Sequence, residues 1–422
     1  MTSNARIDET YVWIWLPGET EPVVAGRLAR QTDGRLIFNY GRSYLDRRNA
    51  IAIYAPELPL QAGAMPLREN MQLPGCIRDA SPDAWGRRVI INRTLGVSGK
   101  DAATVALDEL TYLLESGSDR IGALDFQSSA TAYIAREYQS ATLDELMASA
   151  ERVEKGIPLT PELDLALQHG TALGGARPKA LVMDNHQKYI AKFSTSNDLY
   201  DMVKAEFIAM RLAAIAGLDV APVMLTQALG KDVLLVERFD RIAAQGGWQR
   251  RPLVSALTLL ELDEMEAPYA SYQELATLIR HRFTEPVQTL KELFGRMVFN
   301  ILCGNTDDHA RNHAAFWDGQ ALTLTPAYDI CPQGRTGGEA TQAMFITGNN
   351  RFSRLTTCLE AASHFLLGED AAKAMINAQL ETIRTHWQAV CDEAGLNEVN
   401  RNFLWGRQFL NPYALQDWPD AS

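Results

Sequence analysis

A chain of 422 residues with 46% hydrophobic residues and a net charge of −12 has the composition of a globular protein of two or three domains. The acidic balance argues against its gripping nucleic acid by itself, and any nucleotide site must gather its own cations. No apolar run approaches the ~18 residues that cross a bilayer, and residues 1–6 lack the charged and apolar regions of a signal peptide. The five cysteines, Cys76, Cys303, Cys331, Cys358 and Cys391, are scattered without metal-ligand spacing. Reduced thiols, a cytoplasmic location and no membrane contact are expected.

The first ~125 residues read as β-rich with inserted helix. Residues 11–16 form an aromatic and β-branched run closed by Pro17-Gly18, and residues 35–40 follow the turn Asp33-Gly34. A helix is expected to begin near Ser81-Pro82-Asp83, with Ser81 as its cap and Pro82 in the first turn. Another helix is expected over 108–114. Trp13, Trp15 and Trp85 are assigned to core packing. Residues 127–165 are polar and helical, with a candidate capping box at Thr142-Leu143-Asp144-Glu145, and read as a connector. From ~166 the order is loop, strand, strand, helix, strand. Beyond ~255 the chain is mostly helical, broken at 303–335, with a loop around Gly337-Gly338-Glu339 and helix again from 370 to 391. The boundaries expected are 1–126, 127–250 and 251–422.

Five pieces carry chemistry. In Gly174-Gly175-Ala176-Arg177-Pro178-Lys179 the glycines let backbone N–H groups approach phosphate, and Arg177 and Lys179 add positive charge. A Gly-Gly pair alone is more often a turn, and this is not a Walker A sequence. Lys192 shares a strand face with Ile190 in a hairpin over 180–193. On an inner face its charge needs a partner, and phosphate fits. A solvated edge lysine is the bland alternative. Glu206 lies on an amphipathic helix over 201–216, closed by Gly217, and can pair with Lys192 or stand in water.

The fourth piece, 233–241, is an apolar strand that breaks into Glu237-Arg238-Phe239-Asp240-Arg241. That is where a two-lobed kinase hinges, with adenine read by main-chain groups of Glu237 to Phe239 and the ribose within reach of Asp240. The bland alternative is a strand end with a local Arg–Asp pair of little worth. The fifth piece, Asn305-Thr306-Asp307-Asp308-His309-Ala310-Arg311-Asn312, precedes a hairpin over 314–316 and 322–324, turned at Asp318-Gly319, and then Asp329. Base, Asn, hairpin and metal-binding Asp follow one another in this order in phosphoryl-transfer enzymes. Asp307 is the candidate base, and Asn312 and Asp329 are the candidate Mg²⁺ ligands. His309 and His313, four apart, would share a helix face and could hold zinc, but the surrounding residues read as a loop. His309 is expected to pack that loop and bond a backbone carbonyl.

The sequence words at 174–179, 236–241, 305–312 and 326–330, with Ser118-Asp119-Arg120-Ile121-Gly122-Ala123, resemble those of the HipA family of bacterial serine/threonine kinases, often toxins of toxin–antitoxin pairs. The resemblance covers most of the chain. It implies an α+β, two-lobed protein-kinase-like fold with an N-terminal β-rich subdomain and an all-helical C-lobe. It implies ATP and Mg²⁺ as cofactors, Asp307 as catalytic base, Asn312 and Asp329 as metal ligands, and Lys192 on the phosphates. Gly174, Gly175, Ala176, Arg177 and Lys179 match the loop over the phosphates. Glu237, Arg238, Phe239 and Asp240 match the hinge, and Glu206 and His309 complete the nucleotide site. The implied partners are ATP, a protein substrate such as an aminoacyl-tRNA synthetase, and a small helix-turn-helix antitoxin through which alone the chain would meet DNA. The family's inhibitory autophosphorylation serine is replaced by Ala172, leaving Thr171 as the neighbouring candidate acceptor. A small-molecule phosphotransferase of aminoglycoside-kinase type, also with Asp then Asn five residues on, is the alternative reading.

Overall fold

The computed structural model describes residues 7–95, 106–136, 141–157, 159, 167, 171, 175–184, 186–195, 198–335 and 337–419. Strands β1 (Glu9–Ile14), β2 (Val23–Arg30) and β3 (Leu36–Tyr40) form an antiparallel meander, and β4 (Leu124–Gln127) returns to pair with β1, giving the order β3-β2-β1-β4. The tryptophans are core residues, as expected. Trp13 and Trp15 pack on Tyr133, with ring centroids 5.4 and 5.5 Å away, and Trp85 is fully buried.

Between β3 and β4 lie α1 (Ala84–Leu95) and α2 (Glu109–Glu115). Asp108 caps α2 by accepting from the Leu110 N–H. Ser81 does not cap α1. The helix opens only at Ala84, too far on for a cap at 81, and the Ser81 hydroxyl has no hydrogen-bond partner.

Helix α3 (Leu143–Glu154) has both halves of its capping box, the Thr142 hydroxyl on the Glu145 N–H and the Glu145 carboxylate on the Thr142 N–H. It is more than a connector. Leu146, Met147 and Ala150 join Trp85 and Val89 of α1 in a core against Ala180, Ala191, Val233 and Leu235. Each large apolar side chain buried there contributes about 1.5–3 kcal/mol. Those last four residues belong to a second antiparallel sheet, β5 (Lys179–Met183), β6 (Lys188–Phe193), β7 (Val223–Ala228) and β8 (Lys231–Glu237), in the order β5-β6-β8-β7. Helix α4 (Met202–Ile215), capped by Asp201, packs on its other face.

A hairpin that the sequence reading passed over follows, β9 (Arg241–Ala244) and β10 (Gly247–Arg250), turning at Gly246-Gly247 with positive φ. Strand β11 (Leu253–Ser255) then pairs with β12 (Ala314–Trp317), which forms the expected hairpin with β13 (Leu322–Leu324). Helices α5 (Tyr272–Arg282), α6 (Pro286–Leu302), α7 (Leu355–Ala361), α8 (Glu369–Glu393) and α9 (Glu398–Leu404) make up most of the rest, so the part from 251 on is mostly helical but, with β11–β13, not all-helical as expected. One apolar core runs from Val12 and Phe38 through Phe207 and Ile208 to Phe294 and Ile383. It fixes the N-terminal sheet, α4 and the helical part on one another. All five cysteines are free and buried, and no described helix is long and apolar enough to cross a membrane.

Candidate active site

A cavity of about 220 Å³ opens where the second sheet meets the 305–330 region. Gly175, Lys179, Ile190 and Lys192 line it from the sheet, Glu237 and Phe239 from the end of β8, and His309, Asn312 and Asp329 from the loops below. Pieces separated by more than a hundred residues therefore share one space.

Its electrostatic centre is a pair of lysines. In the β5–β6 ladder Lys179 stands directly opposite Lys192, so both side chains leave the same face. Like charges in that relation destabilise a sheet, and here anions converge on them. Lys192 Nζ donates to Glu206 Oε1 at 2.5 Å and to the Asp329 carboxylate. The expected Lys192–Glu206 pair is present. Burial alone would lower the Lys192 pKa, but Asp329 and Glu206 hold it above the ordinary lysine value. Burial and then Lys192 push Lys179 down to about 8. Lys192 and Lys179 overcome burial to hold the Asp329 carboxyl well below the carboxylate range, whereas burial pushes Glu206 up. Asp329 has φ +59°, a left-handed conformation that Asp tolerates better than most residues and that is frequent at functional sites.

In the loop below, the two adjacent aspartates divide cleanly. Asp308 is buried and accepts from the Tyr272 hydroxyl, with His313 Nε2 3.2 Å away. Asp307 is exposed and makes no such bond. Partial burial of its surroundings raises its pKa, with His309 pulling down and Asp329 pushing up. Asp307 is not a lining residue, but it lies close enough to His309 and Asp329, which do line the cavity, to feel their charges. The Asn312 side chain donates to the Asp307 carbonyl at 3.3 Å, which ties the candidate metal ligand to the candidate base. Among the described residues His309 bonds no backbone carbonyl, contrary to expectation; it lines the cavity, and its charge acts on both Asp307 and Asp329. His309 and His313 flank a 3-10 turn rather than sharing a helix face, and His313 is engaged by Asp308, so the zinc reading loses its geometry.

Several expectations need correction. Asp240 and Arg238 line the cavity beside Glu237 and Phe239, but the Asp240 carboxylate is already engaged, accepting from Arg238 at 2.8 Å, Arg241 at 2.9 Å and the Gly122 N–H at 2.8 Å. Arg238 is likewise occupied, by Asp240 and Asp119. The local Arg–Asp pair of the bland alternative is part of a buried network, because the loop 118–122 folds over it. Arg177 does not line the cavity and pairs with Asp198 at 2.6 Å. The Ala176 carbonyl receives the Arg88 side chain. Thr171 is fully buried, with its hydroxyl accepting from the Gly117 N–H at 3.0 Å, so it is no accessible phosphate acceptor. Gly174 and Ala172 lie outside the described residues. Asp79, Asp83, Ile121, Ser255 and Tyr328 also line the cavity. No local pattern marks Asp79 or Asp83, whereas Arg311 and Tyr328 stood inside motifs already singled out.

The HipA-like C-terminal domain matches residues 171–387, and the HipA N-terminal domain matches residues 14–127. The chain belongs to the HipA family. A Sinorhizobium fredii protein assigned as a kinase, Y4mE, is 28% identical over 75% of this chain and 76% of its own length. The serine/threonine-protein kinase toxin HipA of Shewanella oneidensis is 26% identical over 38% of this chain and 42% of its own. The solved structure of Shewanella oneidensis HipA, in complex with HipB and operator DNA, superposes with a TM-score of 0.67 at 18% identity over 94% of both chains. The fold is thus the expected α+β, kinase-like HipA fold, and the chain is a HipA-type kinase.

Proposed function

We propose that this HipA-family kinase transfers the γ-phosphoryl group of ATP, with Mg²⁺, to a serine or threonine hydroxyl of another protein. The observation that carries the reading is the Lys179–Lys192 pair facing Asp329 and Asn312 across one cavity. A cation pair kept side by side in a sheet suits a polyphosphate. Asn312 and the ionised Asp329 supply hard oxygen donors. Mg²⁺ on a nucleotide needs only one or two such protein groups, so the donor set fits it. When bound, Mg²⁺ neutralises charge on the phosphates. Lys192, oriented by Glu206, holds the phosphates. Main-chain groups of Glu237 to Phe239 face the base. The exposed Asp307 takes the proton of the incoming hydroxyl as its oxygen bonds the γ-phosphorus and ADP leaves.

A toxin role is part of the proposal, supported by the likeness to the toxin HipA of Shewanella oneidensis. A small helix-turn-helix antitoxin is the expected partner by family resemblance, and the Shewanella oneidensis HipA was solved together with HipB and operator DNA. The antitoxin would supply the DNA contact for which this acidic chain is unsuited. An aminoacyl-tRNA synthetase is the first acceptor to try, by family resemblance. The test is incubation of a cell lysate with labelled ATP and either wild type or Asp307→Asn. Label on a discrete protein, absent with Asp307→Asn, supports the proposal. Label only on an added alcohol would instead favour a small-molecule phosphotransferase.

A further inference from the structure

The glycine loop is fastened less by its own sheet than by the start of α1. The Gly175 N–H donates to Asp83 Oδ2 at 2.6 Å, the Trp85 N–H donates to the Gly175 carbonyl at 3.2 Å, and the Arg88 guanidinium donates to the Ala176 carbonyl. Gly86 permits the close approach, since a Cβ there would overlap the Thr171 carbonyl. The other oxygen of Asp83 accepts from Arg311 of the 305–312 loop, and Arg311 also bonds Glu264. The Tyr328 hydroxyl, next to Asp329, donates to the Arg311 carbonyl at 2.7 Å. One carboxylate thus joins three stretches of chain, one each from the N-terminal segment, the β5 loop and the helical part.

We propose that Asp83 is a positioning residue for phosphoryl transfer, holding the glycine loop over the cavity with one oxygen and the Asp307–Asn312 loop with the other. The proposal rests on reading the cavity as the nucleotide site. A glycine-containing loop is conformationally free, and ordering it on each binding event weakens affinity. Asp83 orders it beforehand. A bare carboxylate beside phosphates would repel them, and Arg311 offsets that charge. Asp83 lines the cavity with a side chain 22% exposed, so substitution there leaves the core untouched.

The two oxygens can be separated. Asp83→Asn keeps an acceptor for the Gly175 amide but loses the charge for Arg311; Asp83→Ala loses both. Loss of a hydrogen bond to a charged group predicts that Asp83→Ala raises the KM for ATP about tenfold and lowers kcat, whereas Asp83→Asn lowers kcat with KM within about twofold of wild type. A merely structural role would move both variants together through their melting temperatures. Independently of transfer, the amides of residues 175–177 should exchange with deuterium about tenfold faster in Asp83→Ala and in Gly86→Ala. Arg88→Ala, at an exposed position, gives the same readout if either variant fails to fold. Unchanged exchange in these variants overturns the proposal, as does a fall in KM, which would mean that Asp83 competes with phosphate for the Gly175 amide. A wild type that transfers no phosphate would sink the kinase reading instead, and the exchange result would still decide whether Asp83 holds the loop.

Discussion

Two ionic clusters flank β8, and they are built on opposite principles. In the cluster beyond its end, Asp119 receives Lys188 at 2.5 Å, Arg238 at 3.0 Å and Arg241 at 3.0 Å, while Asp240 receives Arg238, Arg241 and the Gly122 amide. The side chains of Asp240, Arg238 and Arg241 are 3, 1 and 0% exposed. Burial pushes Asp119 up, yet its cations hold it well below the carboxylate range. In the cavity cluster, Lys192 and Glu206 are equally enclosed, but the side chain of Asp329 is 42% exposed. In the first cluster every charge is answered from within even though Arg238 and Asp240 border the cavity, and it locks the N-terminal loop 118–122 to the end of β8. The second is open on one side, which is what the proposed exchange of the Asp329–Lys192 pair for metal and phosphate requires. Burial with complete pairing makes structure; burial with one open face makes a site.

Substitutions on the open side test that contrast most severely. Asp307→Asn should bind ATP normally and lose turnover by about 10²–10⁴-fold, the range of a general base; calorimetry showing lost ATP binding would contradict the role. Lys192→Met should reduce transfer by at least about 100-fold. Its melting temperature should change little, because Glu206, already pushed toward its neutral form by burial, takes up a proton when its partner goes. A steady-state assay beside a melting curve checks both halves.

Asp119→Asn should do the reverse. Removing one partner of a buried pair destabilises by about 3–5 kcal/mol, read by denaturant titration, and kcat per folded molecule should stay within a few-fold of wild type. A large loss of turnover with unchanged stability would erase the distinction between the clusters.

A smaller effect is the pH profile of kcat/KM, which reports groups of the free enzyme. Asp307 must be deprotonated, and its raised pKa puts the acid limb above 3.8. Lys179 must be protonated, so activity should fall as pH rises through about 8. A flat profile between those limbs that persists well above pH ~9 would exclude Lys179 from the phosphate site. Smallest of all, Thr171→Val should weaken folding by about 1 kcal/mol through the Gly117 amide and leave self-labelling unchanged. Mass spectrometry finding phosphate on Thr171 would contradict its burial.

The open cluster was largely legible in the chain. Lys192, Glu206, Asn312 and Asp329 sit on or beside elements with strong local signals, namely an alternating strand, a capped amphipathic helix and a hairpin turned by Asp-Gly. The fully paired cluster was not. For Arg238 and Asp240 the sequence offered a hinge or a local ion pair, because nothing local shows that residues 118–122, over a hundred positions away, will bond them. Asp83 was passed over for the same reason. Its partners are a backbone amide and Arg311, neither of which leaves a pattern near position 83. The cap of α1 was misplaced by local rules alone, since Ser81-Pro82 resembles a helix start while the helix begins at Ala84. Contacts between distant segments decided the misses at Asp83, Arg238 and Asp240, whereas the cap of α1 and the β9–β10 hairpin were local misses.

The most direct test of the nucleotide site is titration calorimetry of ATP, with and without Mg²⁺, into wild type and Asp329→Ala. Wild type should bind ATP more tightly when Mg²⁺ is present, and Asp329→Ala should bind it with one affinity in both conditions. A wild type that binds no ATP, or an Asp329→Ala variant that keeps the full Mg²⁺ gain, would contradict the placement of the metal and triphosphate between Lys192 and Asp329.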